Sequence, residues 1–185
     1  MSCRPSKILS MVVVTLLLTA VHAQRRREPL TEAEIDQLRD QAQEPDLRLK
    51  LYIKFARQRL DALDKMRSDL KTTDRGTQTR DGLQNFLDVY DELNDNIDTY
   101  EDRKSDFRKA LKSVIESDIE FQAKLRALQS SSNTNPAEIK VYEFLLQTAL
   151  DTVDSSIKDH RETLAEQEQE AKQKKKPSSK STPPE

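Results

Sequence analysis

The sequence predicts an all-α protein, an elongated antiparallel helical bundle or coiled coil of three long helices with one short N-terminal helix. Gly occupies only 2 of the 185 positions and charged residues make up 35% of the chain, a composition that favours long helices. Apolar residues recur at alternating spacings of three and four from Leu83 to Leu128, the one-sided stripe of a heptad helix. Capping residues, such as Thr31 and Asn135, stand where helices would begin.

The heptad stripe predicts one helix over residues 80–129, which would be the spine of the fold. Only Lys104 and Asp118 interrupt the stripe with charge, and both are expected at its wet edge. Lys104 is followed by Ser105 and Asp106, and the spine would bend there if it formed a compact four-helix bundle. A straight and a bent spine both remain open.

A short helix is predicted over residues 31–43, where Thr31 and Glu34 have the spacing of a capping box. A longer helix is predicted over residues 46–72 and carries a formal charge of +4. Residues 81–102 of the spine carry eight acidic and no basic side chains. Opposite charge and a short connecting turn favour an antiparallel hairpin of these two segments.

The last helix is predicted to begin at Pro136 and to cover residues 136–165 and beyond. A short turn would fold it back, antiparallel, onto the second half of the spine. No large apolar residue follows Leu164, so residues 166–185 are predicted to be a charged, largely disordered tail that adds little stability. Residues 166–176 within it are helical by propensity but have nothing to bury. Residues 31–165 would therefore form the helical domain.

Residues 1–23 have the parts of a secretory signal peptide. Arg4 and Lys7 precede an apolar run that is shorter than a membrane span, and Val21-His22-Ala23 is a small-residue cleavage site. Basic residues directly after the site resist translocation and favour the alternative, an uncleaved membrane anchor. Three of them are present: Arg25, Arg26 and Arg27.

Cleavage would give a periplasmic or extracellular chain that starts at Gln24, with a basic linker over residues 24–30. It would have 29 basic and 33 acidic side chains, a formal charge of −4, which argues against a nucleic-acid binder. Cys3, the only cysteine, would be lost with the signal peptide, so the mature chain would have no disulfide or thiol chemistry.

Carboxylates recur at helical spacing along the spine from Asp88 to Asp106. As a functional site, this acidic face would bind divalent cations, with Asp91, Asp95 and Asp98 as the candidate ligands, or would dock a basic partner. As a structural feature, it is the solvated outer face of a helix. The glycine-containing loop of a calcium site is missing, which favours the structural interpretation.

His160 is the only histidine of the predicted mature chain and lies on the apolar stripe of the last helix. It is a candidate metal ligand, and Met66 and His160 together would be the ligands of a haem in a helical bundle. The di-iron signature Glu-x-x-His is absent because residue 157 is Ile. The sequence also lacks a nucleophile elbow and a phosphate-binding loop, so it predicts neither an enzyme nor a cofactor.

Two basic clusters predict a weak contact with an anionic surface. One is the triple arginine Arg25, Arg26 and Arg27, and the other is the run Lys174, Lys175 and Lys176. No aromatic residue accompanies either cluster, so base stacking, and with it nucleic-acid binding, is not expected.

Leu30-Thr31-Glu32-Ala33-Glu34 resembles the Leu-Thr-x-x-Gln motif of periplasmic helical stress chaperones of the Spy and CpxP kind, with Glu34 in place of the glutamine. The block from Leu47 to Met66 resembles an uncharacterised family of secreted bacterial all-helical proteins. Neither resemblance implies a catalytic activity.

The sequence therefore supports two functional hypotheses. The favoured one is a non-catalytic secreted or periplasmic protein that binds another protein, or itself, through its helix faces. The alternative is a small helical metal- or haem-binding protein that uses His160 or the acidic face from Asp88 to Asp106.

Overall fold

The computed structural model describes residues 28–42, 44–131 and 135–175, and it confirms an all-α protein. No strand occurs among these residues. The predicted signal peptide, the triple arginine and residues 176–185 lie outside the described residues. Five helices follow one another: α1 (Glu32–Asp40), α2 (Pro45–Ser68), α3 (Arg75–Asp102), α4 (Arg108–Gln129) and α5 (Pro136–Lys175).

Helices α2 to α5 enclose one continuous apolar core. Helix α2 packs against α3 and α4, and α5 packs against the same two helices. Helices α3 and α4 are consecutive in the chain, yet they face each other diagonally across the core. The rings of Phe86 and Phe121 meet there edge to face, with 5.5 Å between their centroids. Short helix α1 packs on α2 and adds Leu38 to the same core.

Polar contacts between helices fix their directions. Arg57 pairs with Glu120 at 2.8 Å and Asp61 pairs with Lys124 at 2.6 Å, so residue numbers rise together and α2 runs parallel to α4. Helices α3 and α5 are also parallel, as two hydrogen bonds indicate: Asn94 to Ser156 and Thr163 to Glu101. Helices α2 and α3 are antiparallel, because Arg48 bonds Asn96 whereas the later Arg67 bonds the earlier Thr79. Helices α4 and α5 are antiparallel for the same reason, with Lys112 paired to Glu168 and Arg126 to Asp154.

The sequence left open whether the predicted helix over residues 80–129 is straight or bent near Lys104, and the chain breaks there, between α3 and α4. Lys104 has a φ of +52°, a left-handed conformation that ends an α-helix. The N–H of Ser105 donates to the carbonyl of Tyr100 at 3.0 Å, and the N–H of Lys104 donates to that of Glu101 at 2.8 Å. These two bonds form a Schellman motif, which satisfies the last carbonyls of α3.

The break has a physical reason in the heptad pattern itself. A straight helix would have placed Lys104 in the apolar seam, whereas the turn leaves its side chain exposed and still buries Phe107 completely. Asp106 leaves the predicted acidic face, since it lies in this turn and pairs with Arg108 at 2.6 Å. The spine is thus replaced by two helices that share one core.

Three other predicted helix ends shift. Helix α1 ends at Asp40 rather than at residue 43, and α2 ends at Ser68 rather than at residue 72. The capping box of α1 is confirmed, with Thr31 N–H donating to a Glu34 carboxylate oxygen at 2.8 Å. Helix α3 begins at Arg75 rather than at residue 80, and Gly76 and Thr79 of its first turns are buried.

The early start of α3 follows from its neighbours. Thr79 is fully buried, and its hydroxyl accepts a hydrogen bond from Arg67 of α2 at 2.8 Å. Gly76 lies against α5, where an added Cβ would come within 3.2 Å of the Glu138 carbonyl. These polar and glycine positions carry no apolar signal, so the heptad pattern begins later than the helix does.

The disorder predicted for the tail does not hold for residues 166–175, which continue α5 to Lys175 in line with their helical propensity. Gln167 donates to the Ser105 carbonyl at 3.2 Å and accepts from the Phe107 N–H at 3.4 Å. Glu168 pairs with Lys112 at 3.2 Å. The polar end of α5 therefore bonds the loop between α3 and α4, which the break places beside it.

Candidate functional site

A cluster of polar side chains lies inside the core, where α3, α4 and α5 meet. Asp118 is 0% exposed, and its two carboxylate oxygens have separate partners. The Tyr90 hydroxyl donates to Oδ1 at 2.8 Å, and Nδ1 of His160 lies 2.8 Å from Oδ2. The prediction that Asp118 stays wet at the edge of the seam is therefore wrong.

The cluster is enclosed by aromatic rings. Tyr90 stacks on Phe86 at 5.4 Å and meets Phe121 edge to face at 6.1 Å. Burial, together with the nearby Asp118 carboxylate, raises the pKa of Tyr90 far above its ordinary value. The phenol is consequently held neutral, as a donor to Asp118 rather than as a base.

The cluster extends by one helical turn toward the N-terminus of α5. Asn94 donates from Nδ2 to the Ser156 hydroxyl at 3.1 Å. Among the described residues, Asn94 Oδ1 is the buried side-chain atom without a hydrogen-bond partner. The other polar atoms of the cluster named here satisfy one another, which is the pattern of a structural network.

The candidate metal ligands are not brought together. Asp91, Asp95 and Asp98 are exposed on the outer face of α3, whereas His160 points into the core toward Asp118. Within the described ranges, no group of three or more His, Cys, Asp or Glu side chains has the arrangement of a metal site. The acidic face and His160 are separate features of the molecule.

The proposed haem pair is too far apart. Met66 lies next to Arg67, which pairs with Glu138 in the first turn of α5 at 3.1 Å. His160 is 22 residues further along the same helix, a distance of about 33 Å at 1.5 Å per residue. One haem cannot bridge these two side chains.

Of the predicted basic clusters, the structure describes the side chain of Lys174 only. It lies 3.4 Å from Glu170, one turn earlier on α5, and both are largely exposed. Lys174 and Lys104 line a shallow cavity at the end of the molecule, which also contains the Asp106 carboxylate. The mixture of signs makes this end only weakly basic.

The outer face of α5 carries a feature that sequence reasoning missed. The chain has four tyrosines and five phenylalanines, and all of them are buried except Phe144, which is 85% exposed. Val141, one turn earlier, is 41% exposed and rests against Gly76 of α3. The signal was available, because Phe144 follows the buried Tyr142 by two residues, or about 200° around a helix.

Polar side chains surround Phe144 along the same face. Lys140, Gln147 and Asp151 are exposed, and Gln147 donates to Asp151 Oδ1 at 2.8 Å. We call Lys140, Phe144, Gln147 and Asp151 the outer α5 face. The ring of Phe144 is the large apolar group on a face whose other members are polar.

Among the described residues, no helix combines the length and the apolar character that crossing a membrane requires. Comparisons of the chain with protein-family models, with curated proteins and with solved structures gave no match.

Proposed function

We propose that this chain is a non-catalytic, exported helical protein that binds another protein through the outer α5 face. The observation that carries the proposal is the exposure of Phe144, the single aromatic side chain that the core does not use. Aromatic residues are enriched at the centres of protein interfaces, where burying a large ring excludes water.

The rest of the molecule fits a scaffold for that face. A single continuous core fills the space between the four long helices, and Gln167 joins α5 to the loop between α3 and α4. The outer α5 face is therefore presented by an anchored helix, which reduces the entropy lost on binding.

The histidine and tyrosine chemistry also favours a non-catalytic role. His160 is occupied by Asp118 inside the core, and Tyr90 is kept neutral in the same cluster. Reacting groups need access to a substrate, and these groups are enclosed by packed rings.

Export is part of the proposal and has its own test. The intact mass of the secreted protein should correspond to a chain that begins at Gln24. A full-length, membrane-bound product would contradict cleavage after Ala23 without bearing on the binding face.

Binding is tested with an affinity-tagged chain expressed in its native host, as wild type and as two variants. Phe144→Ser should lose the co-purifying protein, whether this is a different protein or a second, untagged copy of the chain. Ile119→Ser is the matched control, since Ile119 is also partly exposed (46%) but lies on α4. Equal recovery from all three chains would refute the proposed function.

A further inference from the structure

We infer that the partner of the outer α5 face is a second copy of the same chain, bound with the two α5 helices antiparallel. This inference rests on the proposed function and specifies its partner. It is carried by the arrangement of charge and aromatic residues along the face, which matches itself when reversed.

The spacing of the face is palindromic. Lys140, Phe144, Gln147 and Asp151 are separated by four, three and four residues, so reversing the order leaves the spacing unchanged. A twofold axis at the level between Leu145 and Leu146 then places residue 140 of one copy opposite residue 151 of the other. It likewise places Phe144 opposite Gln147, which is the isologous pattern of a twofold interface.

The charges favour this register over a parallel one. In the antiparallel pair, each Lys140 lies opposite Asp151 of the second copy, so two ion pairs form symmetrically about the axis. In a parallel pair of the same face, Lys140 would meet Lys140 and Asp151 would meet Asp151, which is repulsive. Asp151 is already held on this face by the Gln147 amide at 2.8 Å.

The same register brings the two exposed rings together. Each Phe144 lies one and a half residues from the axis, so the rings are offset by about 4.5 Å along the helices. With so small an offset along the axis, the two rings lie side by side across the interface and cover each other from water. One alignment therefore pairs the rings and both sets of charges.

The contact is limited to the first half of α5, so the dimer should be reversible rather than permanent. Stable obligate dimers bury far larger surfaces than one helix face provides. The association should therefore depend on protein concentration, and the single-copy fold should be unaffected by its loss.

Analytical ultracentrifugation of the purified mature chain tests the inference, from about 1 μM to about 1 mM, the range of reversible complexes. We expect a monomer–dimer equilibrium in the wild type. Lys140→Asp and Asp151→Lys should each weaken it by at least about tenfold, because each places like charges opposite one another. The double variant carrying both changes should restore it, since the signs are then exchanged.

Two further variants complete the experiment. Phe144→Ser should weaken association, whereas Lys158→Asp should not, because Lys158 is exposed on α5 outside the palindrome. All the altered side chains are exposed, so circular dichroism and melting should remain those of the wild type.

A monomeric wild type at the highest concentration, or a double variant that fails to restore the dimer, overturns the inference. The outcomes also separate the two proposals. If the wild type is monomeric but Phe144→Ser still loses a different co-purifying protein, the proposed function stands and the second-copy inference falls. If neither association nor co-purification responds to Phe144, both fall.

Discussion

Lys104 and Asp118 interrupt the same apolar repeat, fourteen residues apart, and the molecule treats them in opposite ways. At Lys104 the helix stops, the backbone turns left-handed and the ammonium group stays in water. At Asp118 the helix continues and the carboxylate is completely buried. Both side chains are ionisable, and the sequence predicts both at the solvent-exposed edge of one long seam.

The difference lies in the partners that each residue meets. Each oxygen of Asp118 has a hydrogen-bond partner, the Tyr90 hydroxyl from α3 and Nδ1 of His160 from α5. Lys104 has no hydrogen bond or ion pair from its side chain within the described part of the chain, and a buried ammonium would need three acceptors. An ionisable side chain therefore stays inside the helical core where neighbouring helices supply its partners. At Lys104, where they do not, the helix ends instead.

Of the changes that test this comparison, replacing Asp118 should have the largest effect on the free energy of unfolding. Asp118→Leu leaves the Tyr90 hydroxyl without its acceptor, and Nδ1 of His160 without its partner, inside the core. We expect a loss of about 3–5 kcal/mol in the free energy of unfolding, measured by urea denaturation. Asp118→Asn keeps one acceptor and should lose less, about 1–3 kcal/mol. A Leu variant as stable as wild type would show that the cluster is not buried.

Removing the Tyr90 hydroxyl should have a smaller effect that depends on pH. Tyr90→Phe leaves Asp118 Oδ1 without its donor, and we expect a loss of about 1–3 kcal/mol at neutral pH. The pKa of Tyr90 is raised in the folded state, so its contribution is present below the unfolded pKa of about 10 and is lost as pH rises above it.

The measurement is the free energy of unfolding between pH 8 and pH 11, with wild type and Tyr90→Phe compared at each pH. The wild type should lose stability more steeply above about pH 10 than the variant does. The pKa values of Tyr52 and Tyr100 are also raised by burial, but both residues are common to the two proteins. Parallel curves would contradict the buried position of the phenol.

Gln167 should have a moderate effect through the loop that contains Lys104. Gln167→Ala removes two hydrogen bonds to the loop backbone, and we expect a loss of about 0.5–1.5 kcal/mol in thermal or urea unfolding. Glu166→Ala, at the exposed neighbouring position, should stay within about 0.5 kcal/mol of wild type. Equal effects would mean that the end of α5 does not support the loop.

Replacing Lys104 should change the free energy of unfolding least, and should raise it rather than lower it. Lys104→Gly relieves the left-handed strain of a side chain and should raise the free energy of unfolding by about 0.5–1 kcal/mol. Lys109→Gly, in the first turn of α4, should lower it, because glycine is unfavourable in a helix. A destabilised Lys104→Gly would show that the lysine side chain makes a contact of its own.

The sequence was sufficient for the all-α class and for the capping box at Thr31, because helix propensity and capping are local properties. It could not decide the break at Lys104. The spacing of apolar residues is the same for a bent and a straight helix. Whether the helix breaks depends instead on contacts between helices that lie far apart in the sequence. The role of Gln167 was invisible for the same reason, since it binds a loop that is 60 residues away.

The candidate site shows the same limit. The seam pattern placed His160 toward the core but could not reveal its partner, which lies 42 residues earlier in the chain. Phe144 was overlooked because the apolar stripe of α5 was complete without it. A side chain that does not fit a core pattern is itself a signal of an outer contact, provided that the pattern around it is clear.

The buried cluster also constrains the order in which the chain can fold. Tyr90 and Asp118 belong to helices that are synthesised first, whereas His160 follows in the last helix. Until α5 docks, Asp118 lacks one of its two hydrogen-bond partners, and excluding water from the core around it is unfavourable. Docking of α5 should therefore belong to a late step in folding, and His160 variants should speed unfolding more than they slow folding.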